Sequence, residues 1–252
     1  MTQVDKAHLF ARLHAKGSPL ILYNVWDAGS AKAVREAGAK AIATSSWAVA
    51  EAQGYRDGED LPLANVEQVA ARIAAVVDVP LSVDFEGGYA EDEEELARNV
   101  SRIIGLGVVG INFEDRVVKG PGLYPIDKQA RRIKAIREAA TNLGLPLFIN
   151  ARTDLFLGRG TDPAKDITEA LERAKAYGEA GASGFFVPGL RDEKLIHRAV
   201  EGITLPVNVM VMDGIPAKGR LAEIGVARLS HGANPYVQAT ATLKDAAHRA
   251  FV

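Results

Sequence analysis

A short apolar run, a polar loop and an amphipathic helix closing on glycine recur eight times along the chain, at a spacing of roughly thirty residues. The apolar runs are LILYNVWD, AIATSS, LSVDFEGG, VGINFED, LFINARTD, GFFVPG, LPVNVMV and VARLSH. Between them lie helical stretches such as NVEQVAARIAAVV, EEELARNVSRIIGLG and DITEALERAKAYGEAG. Strands alternating with helices predict a parallel sheet, because a parallel neighbour can be reached only by a crossover. Eight units predict a closed (β/α)8 TIM-type barrel, with the first segment, MTQVDKAHLFARLHAKG, as an additional N-terminal helix. A doubly wound open sheet is the alternative. No linker or low-complexity stretch interrupts the pattern, so residues 1–252 are expected to form one barrel domain.

Composition matters here for what it excludes. The formal net charge is -2, which argues against a nucleic-acid footprint or a strongly anionic membrane partner. There is no cysteine, so disulfides, thiolate catalysis and cysteine-ligated zinc are ruled out. No apolar run is long enough to span a bilayer, and a cytoplasmic protein is the expectation.

Strands covered on both faces read as continuous apolar runs, and several runs here break that rule near their C-terminal ends. By alternation, Asp84 and Glu86 share a face, as do Asn112 and Glu114, and Asn150, Arg152 and Asp154. Asn24 aligns with Trp26, Asn208 stands between two valines, and Ser45 and Ser46 end the second run. The C-terminal mouth is where barrels of this kind carry their sites. Three carboxylates converging there, Asp84, Glu86 and Glu114, cannot all remain ionised beside Arg152 alone. A hard divalent cation held by oxygen ligands, Mg²⁺ or Mn²⁺, would relieve them. A metal-free layer of salt bridges is the alternative. The acidic run 91–95 reads as the first turn of a helix, and His8, His14, His197 and His248 as helix-surface residues.

With DFEGGY, GINFED and NARTD in order, the chain resembles the isocitrate lyase and phosphoenolpyruvate mutase superfamily over about residues 18 to 235. The resemblance implies a Mg²⁺-dependent barrel that makes or breaks a C–C or P–C bond beside a 2-oxo acid through an enolate-like species. It implies Asp84 as direct metal ligand, with Glu86 and Glu114 acting through metal-bound water and Asp57, in QGYRD, reaching the same water shell. Ser45 and Ser46 would hold the substrate carboxylate and enolate oxygen, Arg152 would face the substrate oxygens, and Asn208 would contact a second carboxylate or leaving group. A homo-oligomer, dimer or tetramer, is also implied. The family often swaps its last helix between subunits, and the tail here is shorter than that pattern.

Two departures bear on chemistry. The family's Asp-x-Asp is Asp84-Phe85-Glu86 in this chain. The segment EDRVVKGPGLYPIDKQA carries neither the lyase loop with its catalytic cysteine nor the mutase Lys-Thr-Asn-Ser loop. Lys119 and Tyr124 are therefore candidates to reach in as acid or base from a turn made mobile by Gly120, Pro121 and Gly122, and His231 is a third. An ordinary solvated loop, and a histidine that merely satisfies backbone groups, are the alternatives. Trp26 and Trp47 would wall the pocket or pack the core. The expected activity is cleavage of a C–C bond of a small 2-oxo or 2-hydroxy acid, of lyase or decarboxylase type. A P–C bond hydrolase or phosphonomutase, a non-catalytic barrel binding a 2-oxo acid, and a hydroxymethyl transferase are the competing readings.

Overall fold

The computed structural model describes residues 1–158 and 161–252. Its strands are β1 (Leu20–Leu22), β2 (Ile42–Ala43), β3 (Leu81–Asp84), β4 (Gly110–Glu114), β5 (Phe148–Arg152), β6 (Gly184–Phe186), β7 (Val207–Met210) and β8 (Arg228–Ser230). All pair in parallel, in the order β1-β8-β7-β6-β5-β4-β3-β2. A parallel bridge from Val25 to Thr44, with Val25 N–H donating to the Ala43 carbonyl at 2.9 Å, closes β1 on β2. The predicted TIM-type barrel is therefore the observed one.

Ten helices accompany the strands among the described residues: α1 (Gln3–Leu13), α2 (Ala28–Glu36), α3 (Ser46–Ala52), α4 (Leu63–Val76), α5 (Glu93–Gly105), α6 (Ile126–Asn142), α7 (Pro163–Glu179), α8 (Glu193–Gly202), α9 (Lys218–Ile224) and α10 (Asn234–Phe251). Two of them, α3 and α4, follow β2, and the loop between them carries Asp57. The acidic run behaves as expected: Asp92 caps α5, and Glu93, Glu94 and Glu95 occupy its first turn, against the positive end of the helix dipole.

The floor of the barrel is sealed by α1, whose Phe10 is fully buried. Phe10 meets Phe148 of β5 edge-on at 5.4 Å, and a β-carbon on Gly110 would stand 2.6 Å from the Phe10 ring. Glycine at 110 thus makes room for the plug. His14 is a correction to the sequence reading. It is not on a helix surface but buried at the C-terminal end of α1, stacked on Phe148 at 3.9 Å, with Nδ1 2.7 Å from the Phe10 carbonyl. With Nδ1–H donating to that carbonyl, Nε2 is the bare acceptor, and it has no partner. Burial, followed by the nearby Arg228 charge, lowers the imidazole to about 3.

Candidate active site

Inward positions carry a polar set through the barrel: Asn24, Ser82, Asn112, Glu114, Asn150, Asn208, Arg228 and Ser230 are all buried. Above this layer, the ends of β2 to β5 form the acidic mouth. Asp84 closes β3, and its Oδ2 accepts from Ser46 N–H at 3.1 Å and from Ser46 Oγ at 3.0 Å. Its Oδ1 faces Asn112 Nδ2 at 3.3 Å. Ser46 Oγ also lies 3.2 Å from Asp57 Oδ1, and one hydroxyl proton cannot serve both acids. Burial and the Asp84 charge accordingly push the Asp57 carboxyl up, with Ser46 and Arg152 opposing.

On the next strands, Glu114 Oε2 accepts from Arg152 Nη1 at 3.0 Å, while Arg152 also grips Asp154 through Nε at 2.6 Å and Nη2 at 3.0 Å. Burial opposes the Arg152 charge, but Glu114, Asp154 and Asp84 outweigh it and hold the guanidinium firmly cationic. Burial pushes Glu114 well up, against the pull of Arg152. Asp57, Asp84, Glu114 and Arg152, which the sequence reading placed together, are thus together in the fold.

Glu86 departs from the alternation argument. The strand ends at Asp84, and Glu86 sits in the left-handed region at φ 48°. Its Oε2 accepts from the backbone N–H of Gly58 (2.9 Å) and Glu59 (2.8 Å), and its Oε1 from Tyr89 OH (3.0 Å). In return, Glu59 Oε1 accepts from Tyr89 N–H at 2.8 Å. Glu59 (φ 57°), Glu86 and Tyr89 (φ 58°) are the non-glycine residues at positive φ among those described, and they bond to one another. Strain concentrated in one reciprocal clasp is sustained by those bonds. The clasp holds the loop carrying Asp57 over the mouth. Burial, then the Asp57 and Asp84 charges, raise Glu86 to about 7. The extra methylene of Glu86 gives Oε2 the reach to the 58–59 backbone, while Oε1 takes the Tyr89 hydroxyl.

Other candidates are placed elsewhere. Ser45 Oγ caps α3, accepting from Ala48 N–H, so of the serine pair it is Ser46 that faces the acids. Asn208 lies in the polar layer, paired with Ser230 at 3.2 Å, rather than at the mouth. Tyr124 is buried, with its ring under Lys128 (4.4 Å) and Arg132 (4.5 Å). It lines, with Lys119, Glu59 and Tyr89, a separate cavity beside α6. The 116–123 segment is a small antiparallel turn, with Val117 N–H donating to the Gly122 carbonyl at 3.0 Å. Val118 on this turn presses against Gly87, where a β-carbon would stand 2.7 Å from it. His231 follows β8 with its ring beside Tyr23 at 5.0 Å, and its backbone N–H donates to Asn24 Oδ1 at 2.9 Å. Trp26 and Trp47 meet Tyr236 of α10 edge-on at 5.1 and 6.0 Å and form the rim on that side. The sequence reading missed Arg228, Thr44, Glu59 and Tyr89. Arg228 was the detectable one, as a lone cation amid the apolar residues of VARLSH.

The donors present suit a hard cation. Among the described residues no ready-made cluster of three metal-ligating side chains exists. Asp84 and Asp57, however, flank one hydroxyl with an excess of negative charge, whereas Glu86 already accepts three hydrogen bonds and Glu114 is engaged by Arg152. Fold and mouth together define a (β/α)8 barrel with an acidic site gathered around one arginine at the C-terminal ends of its strands. A family model described as phosphoenolpyruvate phosphomutase matches residues 10–251, and the chain belongs to that family, within the phosphoenolpyruvate mutase/isocitrate lyase superfamily. A solved Burkholderia cenocepacia structure, provisionally described as a phosphonomutase, is 44% identical over 99% of this chain and 100% of its own, with a TM-score of 0.95. An uncharacterised Mycobacterium tuberculosis protein is 35% identical over 96% of this chain and 87% of its own. The 2-methylisocitrate lyase of Bacillus subtilis is 29% identical over 82% of this chain and 67% of its own.

Proposed function

We propose that the protein is an enzyme dependent on Mg²⁺, or alternatively Mn²⁺, that breaks a C–C bond at C3 of a small 2-oxo or 2-hydroxy acid and leaves a pyruvate-type enolate. The observation carrying this reading is the imbalance at the mouth: Asp57, Asp84, Glu114 and Asp154 gather around Arg152, and one guanidinium cannot neutralise them. Asp84, with Asp57 beside it, would hold the cation, and Glu114 would contribute through the water around it. When bound, the metal supplies positive charge to the carboxylate and 2-oxo oxygens of the substrate.

The chain's own residues account for the rest. Arg152 is held by two carboxylates at a fixed angle, so its charge is preorganised for the oxygen on which negative charge develops. Ser46 Oγ, suspended between Asp57 and Asp84, can turn its proton toward a substrate oxygen once a cation occupies the acids. The Glu86–Glu59–Tyr89 clasp keeps the Asp57 loop in place. Lys119 and Tyr124 lie in the neighbouring cavity, which favours decarboxylation over aldol-type cleavage. Loss of CO2 from a 3-carboxy-2-oxo acid leaves the C3 electron pair as the enolate, and water supplies the proton. Aldol-type cleavage needs a positioned base for the hydroxyl proton. The relative described as a 2-methylisocitrate lyase supports C–C chemistry.

P–C bond chemistry is the second reading, favoured by the 44% identical relative described as a phosphonomutase. Incubation with 3-carboxy-2-oxo acids and 3-phosphono-2-oxo acids, with and without Mg²⁺, followed by carbon and phosphorus NMR, separates the two. Metal-dependent CO2 release supports the first reading, inorganic phosphate or phosphate ester supports the second, and tight binding with no turnover supports the non-catalytic barrel.

We propose a homo-oligomer as well. Helix α10 has Pro235 as its one buried residue and exposes Val237, Leu243 and Phe251. A groove lined by Leu13, Leu20, Ile21, Val34 and Ala222 runs between α2 and α9. Apolar faces of this kind support a contact between subunits.

A further inference from the structure

Arg228 is sealed inside the barrel at 0% exposure, yet among the described residues it makes no ion pair. Its Nη2 donates to Asn112 Oδ1 at 3.0 Å and its Nε to Ser230 Oγ at 3.1 Å, while Nη1 has no partner. Contrast Arg173, whose buried guanidinium rests on Asp115 at 3.1 Å. A buried cation without a counter-ion is costly, and an apolar side chain would fill the same layer without that cost. Burial draws the guanidinium down to about 9, with the Asp84 charge opposing, so it remains cationic at neutral pH.

The contact that gives this charge a role is Asn112. Its Oδ1 receives Arg228 from one side and Asn150 Nδ2, at 2.9 Å, from another. An arginine can only donate, so the Asn112 oxygen must face it, and the Asn112 Nδ2 is left to face Asp84 Oδ1. The orientation of the amide under Asp84 is therefore dictated from the barrel interior.

We propose that Arg228 is a positioning and charge-setting residue: it orients Asn112 beneath Asp84 and places a fixed positive charge under the acidic mouth, which weakens the grip on a divalent cation while strengthening the grip on an anionic substrate. The inference rests on the metal and oxo-acid reading above and adds the reason for an unpaired arginine in the core. A site with too strong a hold on the metal alone would lose selectivity for the metal–acid pair, and the buried charge shifts the balance toward the anion.

The two effects have opposite signs, and that makes them testable. Calorimetry would measure Mn²⁺ binding alone, then oxalate binding at saturating Mn²⁺, for wild type, Arg228→Met and Arg228→Lys, with circular dichroism confirming the fold of each. Arg228→Met is expected to bind Mn²⁺ roughly three- to tenfold more tightly and oxalate roughly tenfold more weakly, with Arg228→Lys within about twofold of wild type on both. Should the methionine variant fail to fold, Arg228→Gln carries the same pair of expectations, since it too is neutral. A merely structural role would weaken both constants together or change neither, and either result in the neutral variant overturns the proposal. A wild-type protein that binds neither Mn²⁺ nor oxalate refutes the functional reading itself, and this inference with it.

Discussion

One buried histidine should withdraw its share of this fold's stability on acidification, in a window where Glu86, raised to about 7, titrates with the opposite sign. His14 is buried against Phe148 and Phe10, and burial holds its imidazole near 3, while in the unfolded chain it titrates near 6.5. The folded pKa is the lower one, so the unfolded state binds the proton first. The His14 contribution is complete above about pH 6.5 and is lost as pH drops from there toward about 3. With those two values the loss is about 2 kcal/mol at pH 5 relative to pH 8. His14→Phe keeps an aromatic ring against Phe148 and removes the proton. Urea melts of wild type and His14→Phe at pH 8 and pH 5, in chelator so that bound metal does not interfere, give the difference directly. The carboxylates contribute equally to both proteins and cancel. The difference between the two proteins should move by about 2 kcal/mol in favour of the variant on acidification. A pH-independent difference would show that the imidazole is hydrated or already paired in the native state, and the reasoning would fall.

Glu86→Ala leaves the Gly58 and Glu59 amides without their carboxylate acceptor; each such bond is worth about 1.5–3 kcal/mol, so hydrogen exchange at 58 and 59 should accelerate at least tenfold with the helical signal unchanged. Gly189→Ala should be among the most damaging single methyl groups in the chain, because φ is +87° and the new carbon would stand 2.2 Å from the Phe156 carbonyl oxygen. Gly17→Ala, at φ +82° with open space around it, should cost only about 1–2 kcal/mol in the same melts, and equal effects at the two sites would refute the packing argument. Removing α10 after Pro235 should reduce the mass seen by light scattering to that of a monomer. An unchanged mass would place any subunit contact elsewhere.

Much of the fold was legible because each crossover leaves a period in the sequence. Eight apolar runs and intervening helices admit few closed arrangements, and the barrel follows. The acidic mouth was legible for a related reason: polar residues at inward positions of otherwise apolar strands, such as Asp84, Glu114 and Arg152, stand out against their neighbours. Glu86 stands beside Asp84 and Asp57 as the sequence suggested, but it lies beyond the end of β3 at φ 48°, where alternation no longer applies, and its bonds to the 58–59 backbone and Tyr89 leave no local pattern. His14 was misread because helical spacing says nothing about what a helix end plugs; Phe148 and Gly110, more than ninety residues away, decide it. Lys119 and Tyr124 were candidates because their segment stands where the resembled family carries its acid–base loop; the 116–123 turn folds back on Gly87, and both residues line the cavity beside α6, a placement set by contacts distant in sequence. Arg228 stands out locally as a lone cation in an apolar run, but its pairing with Asn112 across the barrel leaves no local pattern.

Calorimetric titration of oxalate, a mimic of the pyruvate enolate, into wild type and Asp84→Ala, each with Mg²⁺ and with the metal chelated, tests the central claim most directly. The account predicts binding to the wild type that requires Mg²⁺ and disappears in Asp84→Ala. Oxalate binding that persists without metal or without Asp84, or that never occurs in the wild type, would contradict it.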